Sequence, residues 1–348
     1  MESDAASRDP GVAAAERNVG LARENARRAA ARAADEGHAS PMQVDWARMD
    51  VPKTGHDPVL LGETLDGLNL RPGVVVVDCT LGRGGHTQAI AERIAPDGLL
   101  LALDADPRNL EFARARLAGA RARIRFFHAN FAELTDVLEQ AGIPKVDGIL
   151  ADLGISTNQL FDPQYGLSFA EPMPLDMRID PRTRQTAADL VNSLSERDLA
   201  DVLYNLAQEY YSRRIARKIA DARRFSPIMT TDRLAELVRS AIPSRGGPPA
   251  KIDPATKTFM ALRMAVNQEV ENLAALLEQA PRLLRQGGRL AVISFHSTED
   301  RMVKQAFRSA EQAGLLRVVT KKPLSPADDE LAANPRSRSA KLRVGERI

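Results

Sequence analysis

The chain has 348 residues, 44% of them hydrophobic, with 48 lysines and arginines set against 46 acids for a formal net charge of +2. That length suits one large α/β domain, alone or carrying an insertion, and the charge balance neither demands nor excludes a nucleic acid partner. The lone cysteine, Cys79, excludes an internal disulfide framework and argues against a cysteine-based zinc site; no apolar run is long enough to span a membrane, so the chain reads as cytoplasmic.

Residues 1 to about 53 are rich in alanine, arginine and acids and have no regular apolar period, so they read as a disordered extension. From His56-Asp57-Pro58 a short helix leads in and ends near Leu70-Arg71-Pro72-Gly73. The run Val74-Val75-Val76-Val77-Asp78 then predicts a strand buried on both faces of a parallel sheet. It breaks into Gly82-Arg83-Gly84-Gly85-His86, after which Ile90, Ala91 and Ile94 keep helical spacing. Strand, glycine turn and helix form the unit that lets a backbone approach a nucleotide-like ligand at a helix N-terminus, although such a turn also serves simply to pack a helix tightly. The last glycine of the dinucleotide fingerprint is missing, which disfavours a nicotinamide cofactor.

The next strand, Leu99 to Leu103, ends in Asp104, about 20 residues past the turn, where this class of fold places a carboxylate on ribose hydroxyls. Asp106-Pro107 behind it opens a helix, so an ordinary cap is the alternative. Both can hold, with Asp104 on the ligand and Asp106 at the cap, and two matched features on successive strands favour a nucleoside site. A third strand, Ile124 to His128, runs into Asn130-Phe131, whose ring can flank an adenine or fill core. A fourth, Val146 to Ala151, ends in Asp152-Leu153-Gly154. Strands alternating with helices and ending in polar or glycine residues predict a doubly wound parallel sheet with its ligand at the carboxyl edge.

The alternation stops at residue 156. Up to 252 helical patterns dominate: one starting at Ser195, one from about Gln208 to Phe225, and one from Thr231 to before Pro243. The second carries Arg213, Arg214, Arg217, Lys218, Arg223 and Arg224, a basic face suited to phosphates or merely to water. The predicted organisation is therefore a sheet domain of 54–155 and 253–348 interrupted by a helical insertion, 156–252, that recognises the substrate. Beyond it the pattern predicts one long helix from Thr256 to Leu284. A strand from Arg289 to His296 follows, then a helix, and two closing strands at Leu315–Thr320 and Ala340–Val344.

Several stretches together resemble one family, the bacterial small-subunit ribosomal RNA methyltransferase H family (RsmH, formerly MraW). They are His56 with Pro58-Val59-Leu60-Leu61, Gly82-Arg83-Gly84-Gly85-His86, Asp152-Leu153-Gly154 and Pro174-Leu175-Asp176-Met177-Arg178. Ser212-Arg213-Arg214-Ile215-Ala216-Arg217, Pro254-Ala255-Thr256 through Asn267, Ser294-Phe295-His296-Ser297 with Glu299-Asp300-Arg301, and Asn334 to Ala340 complete the set in order. Leu81 and Thr157-Asn158 depart from the family's usual residues, and the first 53 residues exceed its N-terminus. The resemblance implies a Rossmann-like class I S-adenosyl-L-methionine (SAM) methyltransferase sheet with an inserted all-helical subdomain. It implies methylation of the exocyclic N4 of a cytidine in the decoding centre of 16S rRNA, within the small ribosomal subunit, and it is compatible with a homodimer. The SAM contacts it implies are Gly84, Gly85, His86, Asp104, Phe131, Asp152 and Gln159. The basic residues Arg213, Arg214, Arg217 and Lys218 are the candidate RNA contacts.

The cytosine amine is a weak nucleophile, so its enzyme must align it with the methyl sulfonium and accept a hydrogen bond from it. Asp152 at the end of the fourth strand, or Ser294 and His296 at the end of the fifth, could do so; His296 could equally be a structural histidine bonded to the following helix. Carbon-5 methylation needs a cysteine nucleophile, and Cys79 lies beside the cofactor turn instead. A ribosome-assembly factor that binds SAM without catalysis is the alternative.

Overall fold

The computed structural model describes residues 58–243 and 253–348. His56 and the extension expected over residues 1–53 lie outside them. Along the chain run α1 (Leu61–Leu68), β1 (Val75–Asp78), α2 (Gly85–Ile94), β2 (Leu99–Asp104), α3 (Pro107–Arg116), β3 (Arg123–His128), α4 (Leu134–Ala141), β4 (Val146–Asp152) and α5 (Thr157–Phe161). Then come α6 (Ala187–Ser193), α7 (Glu196–Ala207), α8 (Ser212–Arg223), α9 (Thr231–Ala241), α10 (Thr256–Val266), α11 (Glu269–Leu283), β5 (Leu284–Ser294), α12 (Ser297–Gln312), β6 (Leu316–Val318), α13 (Asp328–Ala333) and β7 (Lys341–Arg347). Among the described residues no helix is long and apolar enough to cross a membrane.

The chain folds into two compact units. The sheet unit comprises the described residues up to Asn158 together with Glu269–Ile348. Its seven strands lie in the order β3-β2-β1-β4-β5-β7-β6, with β1 to β5 parallel and β7 antiparallel to both β5 and β6. The valine run explains its centre. Val74 and Val76 enter one apolar cluster, Val75 and Val77 the other, so alternate side chains fill the two faces of one strand. Strand order reverses between β1 and β4, which opens a crevice at their carboxyl ends.

The helical unit, Gln159–Gln268, packs α8 against α7 and α9, and α10 against α6 and α7. It reaches beyond residue 252, where the sequence pattern had ended the insertion. The helix expected from Thr256 to Leu284 is two helices, interrupted at Asn267-Gln268, with Gln268 at φ 50°. Side-chain hydrogen bonds explain the break. The Asn267 amide donates to Met177 O at 2.8 Å and accepts from Ile179 N at 2.9 Å, so it anchors the Leu175-Asp176-Met177-Arg178 loop inside the helical unit. Phe259 on α10 lies 4.6 Å from Phe169, centroid to centroid. Helical periodicity alone cannot reveal which body such a helix joins.

Candidate cofactor site

The glycine turn lies at the strand reversal. Gly82 and Gly84 take positive φ of 51° and 80°, and a Cβ on Gly84 would stand 3.1 Å from Leu117 Cδ1. A Cβ on Gly85, the first residue of α2, would stand 3.2 Å from Pro58 Cδ. The turn therefore needs glycine both for its backbone and for the packing of α2.

Asp104 ends β2 and is buried. Its carboxylate accepts from Gly82 N and Asp106 N, each at 2.8 Å, and from Asn109 Nδ2 at 3.2 Å. Burial is the largest influence on it and pushes its pKa up to about 7. Asp106 fills the cap role instead, accepting from Arg108 N at 3.0 Å with Pro107 opening α3. The capping role that the sequence left open for this segment thus falls to Asp106, while Asp104 gathers the N–H groups of the glycine turn and of the α3 cap.

Asp152 ends β4, its own N–H given to Thr80 Oγ1 at 2.7 Å. His86 binds Val59 O through Nε2 at 2.9 Å, which places the hydrogen on Nε2, and its Nδ1 stands 3.6 Å from Asp152 Oδ2. Asp152 Oδ1 is buried and has no hydrogen-bond partner among the described residues. Burial, and then the charges of Asp78 and Glu299, hold the Asp152 carboxyl well above the usual carboxylate range. Asp78, at the end of β1, is the residue that sequence reasoning passed over. It accepts from Thr87 Oγ1 at 2.6 Å and Thr80 N at 3.1 Å, tying the glycine turn and α2 to β1, and burial raises its pKa as well. Its signal was visible as the acid closing the valine run.

Phe131 opens a short 3-10 turn after β3, half-buried against the core and fixed by Asn130, which accepts from Ala132 N at 2.9 Å. Gln159 is buried and is the first residue of the helical unit. Ser294 is buried at the end of β5, its hydroxyl directed to Lys341 O at 3.4 Å across the β5–β7 seam. His296 caps α12: Glu299 accepts from Phe295 N at 2.9 Å and His296 N at 3.3 Å, and stands 3.1 Å from His296 Nε2. The structural role that the sequence allowed His296 is therefore present. Glu269, His296 and Glu299 bring ligand atoms within 4.8 Å of one another, but His296 and Glu299 are engaged with each other in this cap.

In the helical unit Arg213, Arg214 and Lys218 are exposed on α8 with no acidic partner among the described residues, while Arg217 approaches Glu196 at 3.4 Å. Arg223 turns inward, donating to Val191 O and Leu194 O, each at 2.6 Å, to tie off the end of α6. It leaves the basic face to its neighbours.

A cationic, ribose-bearing ligand fits these residues. The unpaired buried oxygen of Asp152 suits an ammonium group, and Asp104 and the Gly84–Gly85 backbone stand at the neighbouring strand ends. With the strand order and the glycine turn at the β1/β4 reversal, this makes the sheet unit that of a Rossmann-like, SAM-dependent methyltransferase. The model of the MraW methylase family matches residues 53–348, and the chain belongs to that family. The ribosomal RNA small subunit methyltransferase H of Cyanothece sp. is 48% identical over 297 residues, which is 85% of this chain and 96% of that protein. That of Solibacter usitatus is 48% identical over 291 residues, covering 84% and 99%. Among solved structures, TrmN from Thermus thermophilus aligns with a TM-score of 0.40 at 15% identity, over 83% of this chain and 48% of that one. The cofactor is S-adenosyl-L-methionine.

Proposed function

We propose that the protein methylates the exocyclic N4 of a cytidine in the decoding centre of 16S rRNA, acting on the small ribosomal subunit. The near full-length likeness to proteins named small-subunit rRNA methyltransferase H carries this reading. Bound SAM supplies an electrophilic methyl group on sulfur. Asp152 Oδ1 would hold its ammonium group, Asp104 its ribose hydroxyls and the Gly84-Gly85-His86 backbone its polar tail; Phe131 would flank its adenine, and Gln159 is a further contact.

Amine methylation asks the chain for an acceptor facing N4 as its lone pair leaves the ring, and for exclusion of water. Asp152 and the loop Leu153-Gly154-Ile155-Ser156 are the proposed source. Ser294, whose hydroxyl is 3.4 Å from Lys341 O, and His296, whose buried Nε2 has no hydrogen-bond partner among the described residues, stand at the end of β5 as the further candidates. The state of Cys79 supports amine over carbon-5 chemistry: it is buried, and burial with the nearby Asp78 charge pushes its thiol up, away from the thiolate that ring addition requires. Arg213, Arg214, Arg217 and Lys218 are the proposed phosphate contacts.

Methyl transfer from labelled SAM to small subunits lacking the modification, followed by mass spectrometry of digested nucleosides, tests the reading. N4-methylcytidine at a single decoding-centre position is the expected product. SAM binding without transfer would overturn it in favour of a non-catalytic assembly factor.

A further inference from the structure

The turn between α7 and α8 displays a large aromatic ring on a stiff support. Gln208 N donates to Tyr204 O at 2.8 Å and Glu209 N to Leu203 O at 3.2 Å. The buried Glu209 carboxylate then accepts from Tyr211 N at 2.8 Å, and Ser212 N binds Glu209 O at 3.1 Å. From α10, Lys257 Nζ donates to Gln208 O at 3.1 Å and stands 5.2 Å from the centre of the Tyr210 ring. Within this lattice Tyr210 remains 77% exposed. A large ring left in water forgoes the burial free energy that an inward rotamer would gain. The ammonium takes up part of the ring's surface, and the high exposure leaves the rest open.

Three and four residues further along the chain, Arg213 and Arg214 follow Ser212 in the first turn of α8; both are exposed and unpaired among the described residues, and that turn contains no acid. Cations at that end of a helix oppose its dipole, so these positions are poor choices for helix stability alone. An exposed aromatic face with one ammonium over it, followed in the chain by two arginines without acidic partners among the described residues, is complementary to a base carrying phosphates. Stacking needs no particular base, and the cations meet the backbone on either side.

We propose that Tyr210, with Lys257, Arg213 and Arg214, is a stacking platform for an unpaired nucleotide of the RNA substrate. The proposal rests on the functional reading above and deepens it: the helical unit would grip a single-stranded segment by its π-face as well as by charge.

The test compares the full-length protein with Tyr210→Ala, Tyr210→Phe and Lys257→Ala. The probes are a fluorescein-labelled single-stranded RNA 12-mer, titrated at several salt concentrations, and small subunits lacking the modification. Tyr210→Ala should weaken 12-mer binding and raise KM for subunits about tenfold, with an unchanged salt slope, and Tyr210→Phe should restore both. Lys257→Ala should lower the salt slope by about 0.7, the value for one lost phosphate contact on a single strand. SAM affinity, measured by calorimetry, should stay at the parent value throughout and reports an intact sheet unit. Parental RNA affinity and KM in Tyr210→Ala would overturn the platform while leaving the methyltransferase reading standing. A loss in Tyr210→Ala that phenylalanine does not restore would also overturn it, as would a loss that tracks a change in oligomeric state, which would make the patch a contact between copies. A parent protein that neither binds RNA nor methylates subunits would instead refute the functional reading.

Discussion

In the sheet unit charge is taken inside: Asp78, Asp104 and Glu299 are buried, with Asp152 beside them, at or just beyond the carboxyl ends of the strands. In the helical unit Arg213, Arg214 and Lys218 stay on the surface, and the inward-facing arginine, Arg223, is spent on backbone carbonyls. The physical consequences differ. Buried acids raise one another's pKa, answer to a small cation in a fixed place, and are each hard to replace. Exposed bases are screened by salt, act nearly independently, and suit a long polyanion. The two regions should therefore respond to substitution on different scales.

The largest effect should come from Asp152. Asp152→Ala should raise the SAM dissociation constant about a hundredfold, the scale of a truncated buried charge partner, as isothermal titration would register. A fold-change near that of the surface arginines would erase the contrast between the units. Next is Gly84→Ala, which forces a Cβ into a backbone of φ 80° and toward Leu117. It should cost roughly 1–2 kcal/mol of stability by chemical denaturation.

The pH dependence sharpens the same contrast. Asp104, raised from 3.8 to about 7, holds a proton in the folded, cofactor-free protein across a range where the unfolded chain has lost it. Its contribution to stability therefore grows as pH falls from about 7 toward 4. If Asp104 holds the ribose as proposed, the hydroxyls donate to its ionised form, so SAM affinity should move the opposite way, rising about tenfold between pH 6 and pH 8. Asp104→Asn should flatten both its stability and its affinity profiles. Smallest are Arg213→Ala and Arg214→Ala: each should weaken RNA binding a few-fold and lower the salt slope by about 0.7–0.9, leaving SAM titrations unchanged.

The sheet was readable because its signals are local. Four valines, a glycine turn and Asp104 at a strand end lie within 31 residues, Val74 to Asp104, and point to the β1–β2 edge as the candidate site, although Asp78 in the same stretch was passed over. What escaped was long-range. The helix break at Asn267 depends on carbonyl and amide partners at Met177 and Ile179, far away in sequence. The hydrogen bonds of Ser294 and Arg223 go to carbonyls on neighbouring elements, Lys341 O for one and Val191 O and Leu194 O for the other. Residue type announces what a side chain can do; only the fold decides which neighbour uses it up.

The insertion of the helical unit between β4 and β5 has a consequence for how the molecule is made. These strands are neighbours in the sheet, yet the whole helical unit is synthesised between them, so their pairing closes a very long loop. A growing chain that has emerged only as far as α9 displays β4 with one unpaired edge and an unfinished apolar face, while the contacts among α6, α7, α8 and α9 are already available. Even β6 must wait, since it joins the sheet through β7, which follows it. Assembly thus runs out of chain order: the later-made helices can condense first, and the sheet begun at β1 is completed last. In that interval the β4 edge is the part most exposed to aggregation and to chaperones.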